Sequence, residues 1–205
     1  MLVRALLIVG LAAAASSGAF AQAAPTAVPS CDPPSTMELQ VTLRPQKTGM
    51  WCWAASGQMV MEYLGKSVEQ CIQANYRLHR SDCCNSPTPD ECVSGGWPEF
   101  ERYGFQFKRT NGTPLTWNQL RSQLAAKKVG EPCSFTPFAF SWRWIGNGGH
   151  MMVATGYTTT PDGKNYVHVN DPWEPNIGAT RTILYEVYDQ LPGDHTHWDD
   201  FYDIR

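Results

Sequence analysis

The sequence lacks both a cluster of basic residues and a hydrophobic run long enough to span a membrane. Its 16 Lys and Arg residues are scattered among 19 Asp and Glu residues over a length of 205. No positive stripe is formed, which argues against nucleic acid or an anionic membrane as a partner. The one unbroken apolar run, residues 5–15, is too short to cross a bilayer. No internal repeat is present, and the length suits a single domain.

Residues 1–21 are predicted to be a secretory signal peptide. Arg4 provides the positive start, the apolar run follows, and Ala19-Phe20-Ala21 is a typical cleavage site. The alternative for this segment is an N-terminal membrane anchor. Residues 22–35, rich in Ala and Pro, are predicted to be a flexible lead-in, which leaves residues 36–205 as the folded domain. We therefore expect a secreted or periplasmic monomer that is not attached to a membrane after signal removal.

The number of cysteines is odd. Cysteines of an exported protein form disulfides, so seven cysteines leave at least one thiol over, and a leftover thiol is a candidate reactive group. The sequence motifs around Cys52 indicate that it is this leftover thiol. The other six allow fifteen pairings, among which the sequence does not choose. The disulfide candidates are Cys31, Cys71, Cys83, Cys84, Cys92 and Cys133.

Two groups of residues offer alternatives as metal sites. Four of the cysteines, at positions 71, 83, 84 and 92, could bind zinc, but their spacing fits no standard zinc finger, and disulfides are favoured. His195 and His197, with acidic neighbours, could also hold a metal, although a polar C-terminal strand or loop is the favoured interpretation. We expect neither a metal nor a cofactor.

Hydrophobic periodicity predicts helices in the first half of the chain and strands in the second. Apolar residues at helical spacing predict a helix over residues 52–64. Thr116 and Gln119 form a capping box that predicts the start of another helix, which Gly130 and Pro132 would end. Residues 81–96 are predicted to be loop. Strands are predicted at residues 104–109, 135–144, 151–157, 166–169 and 180–188. This distribution indicates an α+β fold with antiparallel strands.

Cys52 has the local environment that a cysteine nucleophile needs. It begins the predicted 52–64 helix, where backbone amides and the helix dipole favour a thiolate. Gln46 lies six residues upstream, and its side-chain amide can reach an oxyanion that forms beside Cys52. These two residues are therefore the predicted nucleophile and oxyanion donor.

His150 and Asp171 are predicted to meet across a hairpin. Pro161-Asp162-Gly163 is a strong turn signal between two apolar runs. If the hairpin turns there, paired residue numbers add up to about 323, so His150 and Asp171 lie opposite each other within a residue or two. Neighbouring strands are ~5 Å apart, which lets the carboxylate reach the imidazole. Asn170 is the alternative orienting residue, although it shares a strand face with polar neighbours rather than with the valines.

Four segments carry the candidate site, namely Gln46-x5-Cys52-Trp53-Ala54, Cys92-x-x-Gly95-Gly96-Trp97-Pro98, Gly149-His150 and Asp171-Pro172-Trp173. In combination, these motifs resemble those of papain-like cysteine peptidases. Asp-Pro after the second strand is more similar to the bacterial branch, which includes double-glycine-leader peptidases and papain-like effector proteases of plant pathogens. A cysteine that pairs in plant papains is replaced by Gly49, so Cys92 must pair differently.

The resemblance implies a two-lobed fold with a helical N-terminal lobe, an antiparallel β C-terminal lobe and a site between them. Cys52 and His150 would form a thiolate–imidazolium pair that Asp171 orients. Trp173 would shield the contact between His150 and Asp171 from water. Gly95, Gly96 and Trp53 are expected to contact a protein or peptide substrate.

The function that the sequence favours is therefore that of a secreted cysteine endopeptidase. One alternative is a peptidoglycan amidase or transferase with the same Cys–His chemistry. Such enzymes usually have Asp-Cys before the helix and a second His as the orienting residue, whereas this chain has Trp51-Cys52 and Asp171. The other alternative is a catalytically silent, disulfide-bonded binding module.

Overall fold

The computed structural model describes residues 32–125 and 135–205. The predicted signal peptide, most of the lead-in, two of the disulfide candidates (Cys31 and Cys133) and the predicted helix stop at Gly130 and Pro132 lie outside the described residues. The described end of the lead-in is held in place, since Arg121 donates to the carbonyl oxygen of Pro33 at 2.6 Å. The hydroxyl of Tyr157 likewise donates to the carbonyl oxygen of Pro34.

The chain folds into a helical first part and a sheet-forming second part, which confirms the predicted α+β class. A short strand β1 (Thr36–Glu38) precedes helix α1 (Cys52–Tyr63) and helix α2 (Gln70–Leu78). After strand β2 (Lys108–Arg109) comes helix α3 (Trp117–Leu124), which begins with the predicted capping box. Helix α1 confirms the helix predicted over residues 52–64. No helix among the described residues is long and apolar enough to span a bilayer.

The second part consists mainly of strands, namely β3 (Phe138–Trp144), β4 (Gly149–Thr159), β5 (Asn165–Asp171), β6 (Ala179–Leu184), β7 (Gln190–Leu191) and β8 (His195–Tyr202). A short helix α4 (Tyr185–Asp189) follows β6. Together with β1 and β2, these strands form one antiparallel sheet in the order β2-β8-β3-β4-β5-β6, while β1 pairs with β4 and β7 pairs with β8. Strand β4 is the longest of the described strands and lies directly against α1.

Both faces of β4 are buried, and each belongs to a different hydrophobic core. Met151 and Val153 pack with α1 in one cluster. Met152 and Ala154 pack in the other, which contains the apolar side of α3. Side chains alternate along a strand, so consecutive apolar residues are what a strand covered on both sides requires. The sheet thus fixes the first residues of β4 in position relative to the start of α1.

Three parts of the secondary-structure prediction need correction. Helix α2 was not predicted, because its buried residues are mainly the amides Gln70 and Gln73 rather than an apolar stripe. The strand predicted over residues 180–188 ends at Leu184, and α4 follows because Tyr185 and Tyr188, three residues apart, stack on one helix face. The strand predicted over residues 104–109 is reduced to the two residues of β2.

Candidate active site

Cys52 is the first residue of α1 and carries a free thiol. It is half-buried, and among the cysteines that the structure describes it alone is not in a disulfide. The preceding Trp51 is the N-cap and makes no side-chain cap, so no side-chain oxygen occupies the first-turn amides. Trp51 is instead buried, and its indole nitrogen donates to the carbonyl oxygen of Cys92 at 2.7 Å. The thiol therefore sits at an uncapped helix N-terminus, where a negative charge is favoured.

His150 and Asp171 lie on neighbouring antiparallel strands and contact each other. The hairpin register predicted from the turn is confirmed, since Val153 pairs with Asn170 and Ala154 with Val169. Nε2 of His150 is 2.6 Å from Oδ1 of Asp171. That contact leaves Nδ1 as the imidazole nitrogen available to Cys52, whose thiol also contributes to the raised pKa of His150.

Asp171, and not Asn170, is the residue that reaches the imidazole. Asn170 is buried, and its side-chain amide donates to the carbonyl oxygen of Val41 at 2.9 Å. Asp171 accepts two further hydrogen bonds, from the backbone N–H of Trp173 at 2.9 Å and from Nε of Arg181 at 2.7 Å. A carboxylate with three donors is held firmly in one orientation.

The electrostatic surroundings favour a charged imidazole. Burial alone lowers the pKa of His150, but the hydrogen bonds and charges of Asp171 and Cys52 outweigh it and raise the pKa to about 9. Burial likewise raises the pKa of Asp171, yet its contacts with His150, Trp173 and Arg181 hold that pKa below its ordinary value. At neutral pH the pair is thus an imidazolium beside a carboxylate.

The backbone of Gln46 is hydrogen-bonded to the segment that follows Asp171. Its N–H donates to the carbonyl oxygen of Pro172 at 3.0 Å, and its own carbonyl accepts from Asn176 at 2.8 Å. The side chain is buried, and Nε2 donates to the carbonyl oxygen of Thr48 at 2.7 Å. No other partner of this amide occurs among the described residues, and its Oε1 is buried without a hydrogen bond.

These residues line a cleft of about 870 Å³. Gly95 and Gly96 form part of one wall, and a Cβ at Gly96 would lie 2.2 Å from Nε of Arg77. Trp173 also lines the cleft beside Asp171, with 45% of its surface exposed. The other lining side chains include four tryptophans, namely Trp97, Trp142, Trp144 and Trp198.

Trp53 corrects one expectation about substrate contact. Its side chain is only 1% exposed and lies beneath the cleft rather than on its wall. Its indole nitrogen donates to the carbonyl oxygen of Ser94 at 3.1 Å. Trp53 therefore supports the segment that leads into Gly95 and Gly96, and does not itself face a substrate.

Four of the six disulfide candidates form two disulfides. Cys71 pairs with Cys84, and Cys83 pairs with Cys92. The adjacent cysteines are not joined to each other, and the zinc alternative for these four is wrong because their sulfurs are oxidised. The Cys83–Cys92 bond fixes the start of the cleft wall.

The side chains of His195 and His197 both contact other residues of the fold. Both lie on strand β8, as the favoured interpretation of a polar C-terminal strand held. Nδ1 of His195 lies 2.7 Å from Asp194, and its Nε2 contacts the carbonyl oxygen of Val187 at 2.8 Å. Nε2 of His197 lies 3.2 Å from Oδ1 of Asp200.

The sequence did not reveal Arg181 or the packing around Gly149. Arg181 reaches the site because β6 pairs with β5, opposite Val169. No turn motif in the sequence fixes that register. A Cβ at Gly149 would lie 2.4 Å from the carbonyl oxygen of Trp142 and 2.7 Å from the ring of Trp198. The glycine before His150 is therefore required by close packing of three strands.

Residues 38–193 match the family model described as the Peptidase_C39 like family, which is more than half of the chain. No curated protein matches the sequence. Among solved structures, the fold is similar to the Amb a 11 cysteine protease, a major ragweed pollen allergen, in its proform. That match has a TM-score of 0.51 and 17% identity and covers 83% of this chain but only 59% of that chain.

Two bacterial-type peptidases are also similar. The peptidase domain of Streptococcus ComA, a bifunctional ABC transporter, matches with a TM-score of 0.47 and 13% identity, covering 80% of this chain and 98% of that one. A double glycine motif protease from an AMS/PCAT transporter, in complex with the leader peptide, matches with a TM-score of 0.42 and 21% identity, covering 80% and 93%. The match to the Amb a 11 cysteine protease, with its TM-score of 0.51, confirms the papain-like fold implied by the sequence motifs.

Proposed function

The chain belongs to the Peptidase_C39 like family, and on that premise we propose that it is an exported cysteine peptidase with Cys52 as nucleophile and His150 as acid and base. The observation that carries the proposal is the free thiol at the start of α1 beside an imidazole whose far nitrogen is held by Asp171 at 2.6 Å. A nucleophile, a base and a group that orients the base are the parts that covalent acyl transfer requires.

In the proposed reaction the Cys52 thiolate attacks the carbonyl carbon of the scissile peptide bond. The carbonyl oxygen becomes an oxyanion, which accepts from the free N–H of the Gln46 amide and from the backbone N–H of Cys52. Collapse of this intermediate breaks the C–N bond. The leaving amine takes a proton from Nδ1 of the His150 imidazolium, and a thioester remains on Cys52.

Water then hydrolyses the thioester. Neutral His150 accepts a proton from the water, whose oxygen attacks the thioester carbonyl, and Cys52 leaves as a thiolate, restoring the ion pair. Asp171 keeps the imidazole in the orientation that these transfers need. Gly95 and Gly96 are proposed to lie against the substrate backbone, because they line the cleft and have no side chains.

We also propose that the enzyme works outside the cytoplasm, as a monomer, on proteins or peptides. Disulfides Cys71–Cys84 and Cys83–Cys92 persist in oxidising compartments. Residues 1–21 have the features of a signal peptide. Export with these bonds intact leaves Cys52 as the reactive thiol of the described part.

The test is alkylation of the unreduced protein with iodoacetamide at about pH 5.5, followed by peptide mapping. An ordinary thiol is only about 0.1% thiolate at this pH and barely reacts. We expect rapid labelling of Cys52, which His150→Ala abolishes. His168→Ala is the matched control, because His168 also contacts a carboxylate, that of Glu38, but lies outside the cleft.

Hydrolysis is tested in parallel with fluorescein-labelled casein. The wild type is expected to release peptides, and Cys52→Ser is expected to release none. A labelled Cys52 together with cleavage of muropeptides but not of casein would replace peptidase activity by amidase activity. An unlabelled Cys52 would overturn the proposal in favour of a silent binding module.

A further inference from the structure

The orienting residue of this site carries a negative charge that is almost completely buried. The side chain of Asp171 is 7% exposed. The proposed mechanism places a thiolate at Cys52 and an imidazolium at His150, so that the three groups together would carry a net charge of −1 in a partly desolvated cleft. A buried charge without compensation is costly, so such a site needs a further positive group.

Arg181 is the positive group in contact with this carboxylate. Its Nε donates to Oδ2 of Asp171 at 2.7 Å, while Oδ1 receives His150 and the backbone N–H of Trp173. The two oxygens of the Asp171 carboxylate therefore have different hydrogen-bond partners. Rotation of the carboxylate would break the contact with Arg181 and the contact with His150 together.

We propose that Arg181 is a positioning residue for catalysis, which balances the charge of Asp171 and fixes the carboxylate in the orientation that holds His150. This inference rests on the proposed peptidase function. Arg181 itself acts only through Asp171, and its side chain is half exposed at the edge of the cleft.

The chain offers a comparison for an ordinary arginine–carboxylate pair. Arg44 contacts Glu62 through two nitrogens, but both side chains are partly exposed, at 42% and 25%, and lie away from the cleft. Pairs of this kind contribute little. The pair of Arg181 differs because its acidic partner is buried and touches the imidazole.

The experiment measures the rate of Cys52 alkylation by iodoacetamide at pH 5.5 in purified, unreduced variants. Arg181→Ala is expected to slow labelling roughly five- to tenfold, as the loss of a charge-assisted hydrogen bond with one exposed partner implies. Arg181→Lys is expected to recover most of the rate, because the charge returns. Arg44→Ala is the matched control and is expected to label at the wild-type rate.

A double-mutant cycle separates positioning from a general structural role. In an Asp171→Asn background no charge remains to be balanced, so Arg181→Ala is expected to change the labelling rate less than about twofold. An equal loss in both backgrounds would show that Arg181 does not act through Asp171. Wild-type labelling in Arg181→Ala would also overturn the inference while leaving the peptidase proposal intact, whereas failure to label the wild type would overturn the peptidase proposal first.

Discussion

Asp171→Asn is the substitution that most directly examines the electrostatics of the site. Asn keeps the shape and an acceptor oxygen but removes the charge. The pKa of His150, raised from 6.5 to about 9, corresponds to about 3 kcal/mol in favour of the imidazolium at 1.36 kcal/mol per unit. A hydrogen bond to a charged group contributes about 1.5–3 kcal/mol. Loss of the carboxylate should therefore lower the pKa of His150 by about one to two units.

The raised pKa of His150 also makes the stability of the fold depend on pH. A histidine whose pKa is raised on folding contributes stability that is fully present below its unfolded pKa of 6.5 and is lost as the pH rises through about 9. Asp171 stays ionised in this window, because its pKa is held below 3.8. We expect Asp171→Asn to be less stable than the wild type by about 1–3 kcal/mol near pH 6, and the difference to shrink above pH 9.

Two measurements check this prediction. The imidazole C–H resonance of His150, assigned by its loss in His150→Ala, gives the pKa in each protein, and urea unfolding at several pH values gives the stability. Glu38→Gln is the control, because it removes the carboxylate beside His168 and should leave the titration of His150 unchanged. Identical titration of His150 in wild type and Asp171→Asn would refute the electrostatic reasoning.

Three further predictions concern the groups around the nucleophile. Gln46→Ala should lower kcat for casein by about 10²–10³, as loss of an oxyanion donor does. Cys52 should still be alkylated at pH 5.5 in this variant. An unchanged kcat would exclude Gln46 from the oxyanion site. Gly149→Ala should lower the unfolding free energy by about 1–3 kcal/mol, because the new Cβ would lie 2.4 Å from a β3 carbonyl oxygen. Wild-type stability of this variant in urea would contradict this packing. Replacing Cys83 and Cys92 by Ser should lower the unfolding free energy by about 2–3 kcal/mol and slow the alkylation of Cys52. Removal of the Cys71–Cys84 disulfide should affect stability more than the alkylation rate. Equal alkylation rates in both variants would count against a coupling between the Cys83–Cys92 disulfide and the cleft.

Much of the geometry of the candidate site was predictable because its parts lie close together in sequence. Gln46 and Cys52 are six residues apart, and the helix that begins at Cys52 has a clear apolar period. His150 and Asp171 are separated by one hairpin, whose turn residues determine the register and therefore the pairing. Local rules of this kind need no knowledge of the tertiary fold.

The parts that were missed depend on contacts that no local pattern encodes. Arg181 reaches Asp171 through the register between β5 and β6, and the connection between those strands contains no simple hairpin turn. Helix α2 buries amides, which a hydrophobic period does not detect. Trp198 lies against Gly149 only because β8, from the end of the chain, pairs with β3.

The two tryptophans that flank the nucleophile show why a motif can be recognised while its role is misread. Trp51 and Trp53 are both buried, and their indole nitrogens donate to the carbonyl oxygens of Cys92 and Ser94. These two bonds join the first turn of α1 to the segment that the Cys83–Cys92 disulfide also holds. The wall that includes Gly95 and the thiol of the nucleophile are therefore positioned by the same contacts. Trp53 is informative because its buried ring links the start of α1 to the segment before Gly95, and it does so from beneath the cleft rather than from its wall.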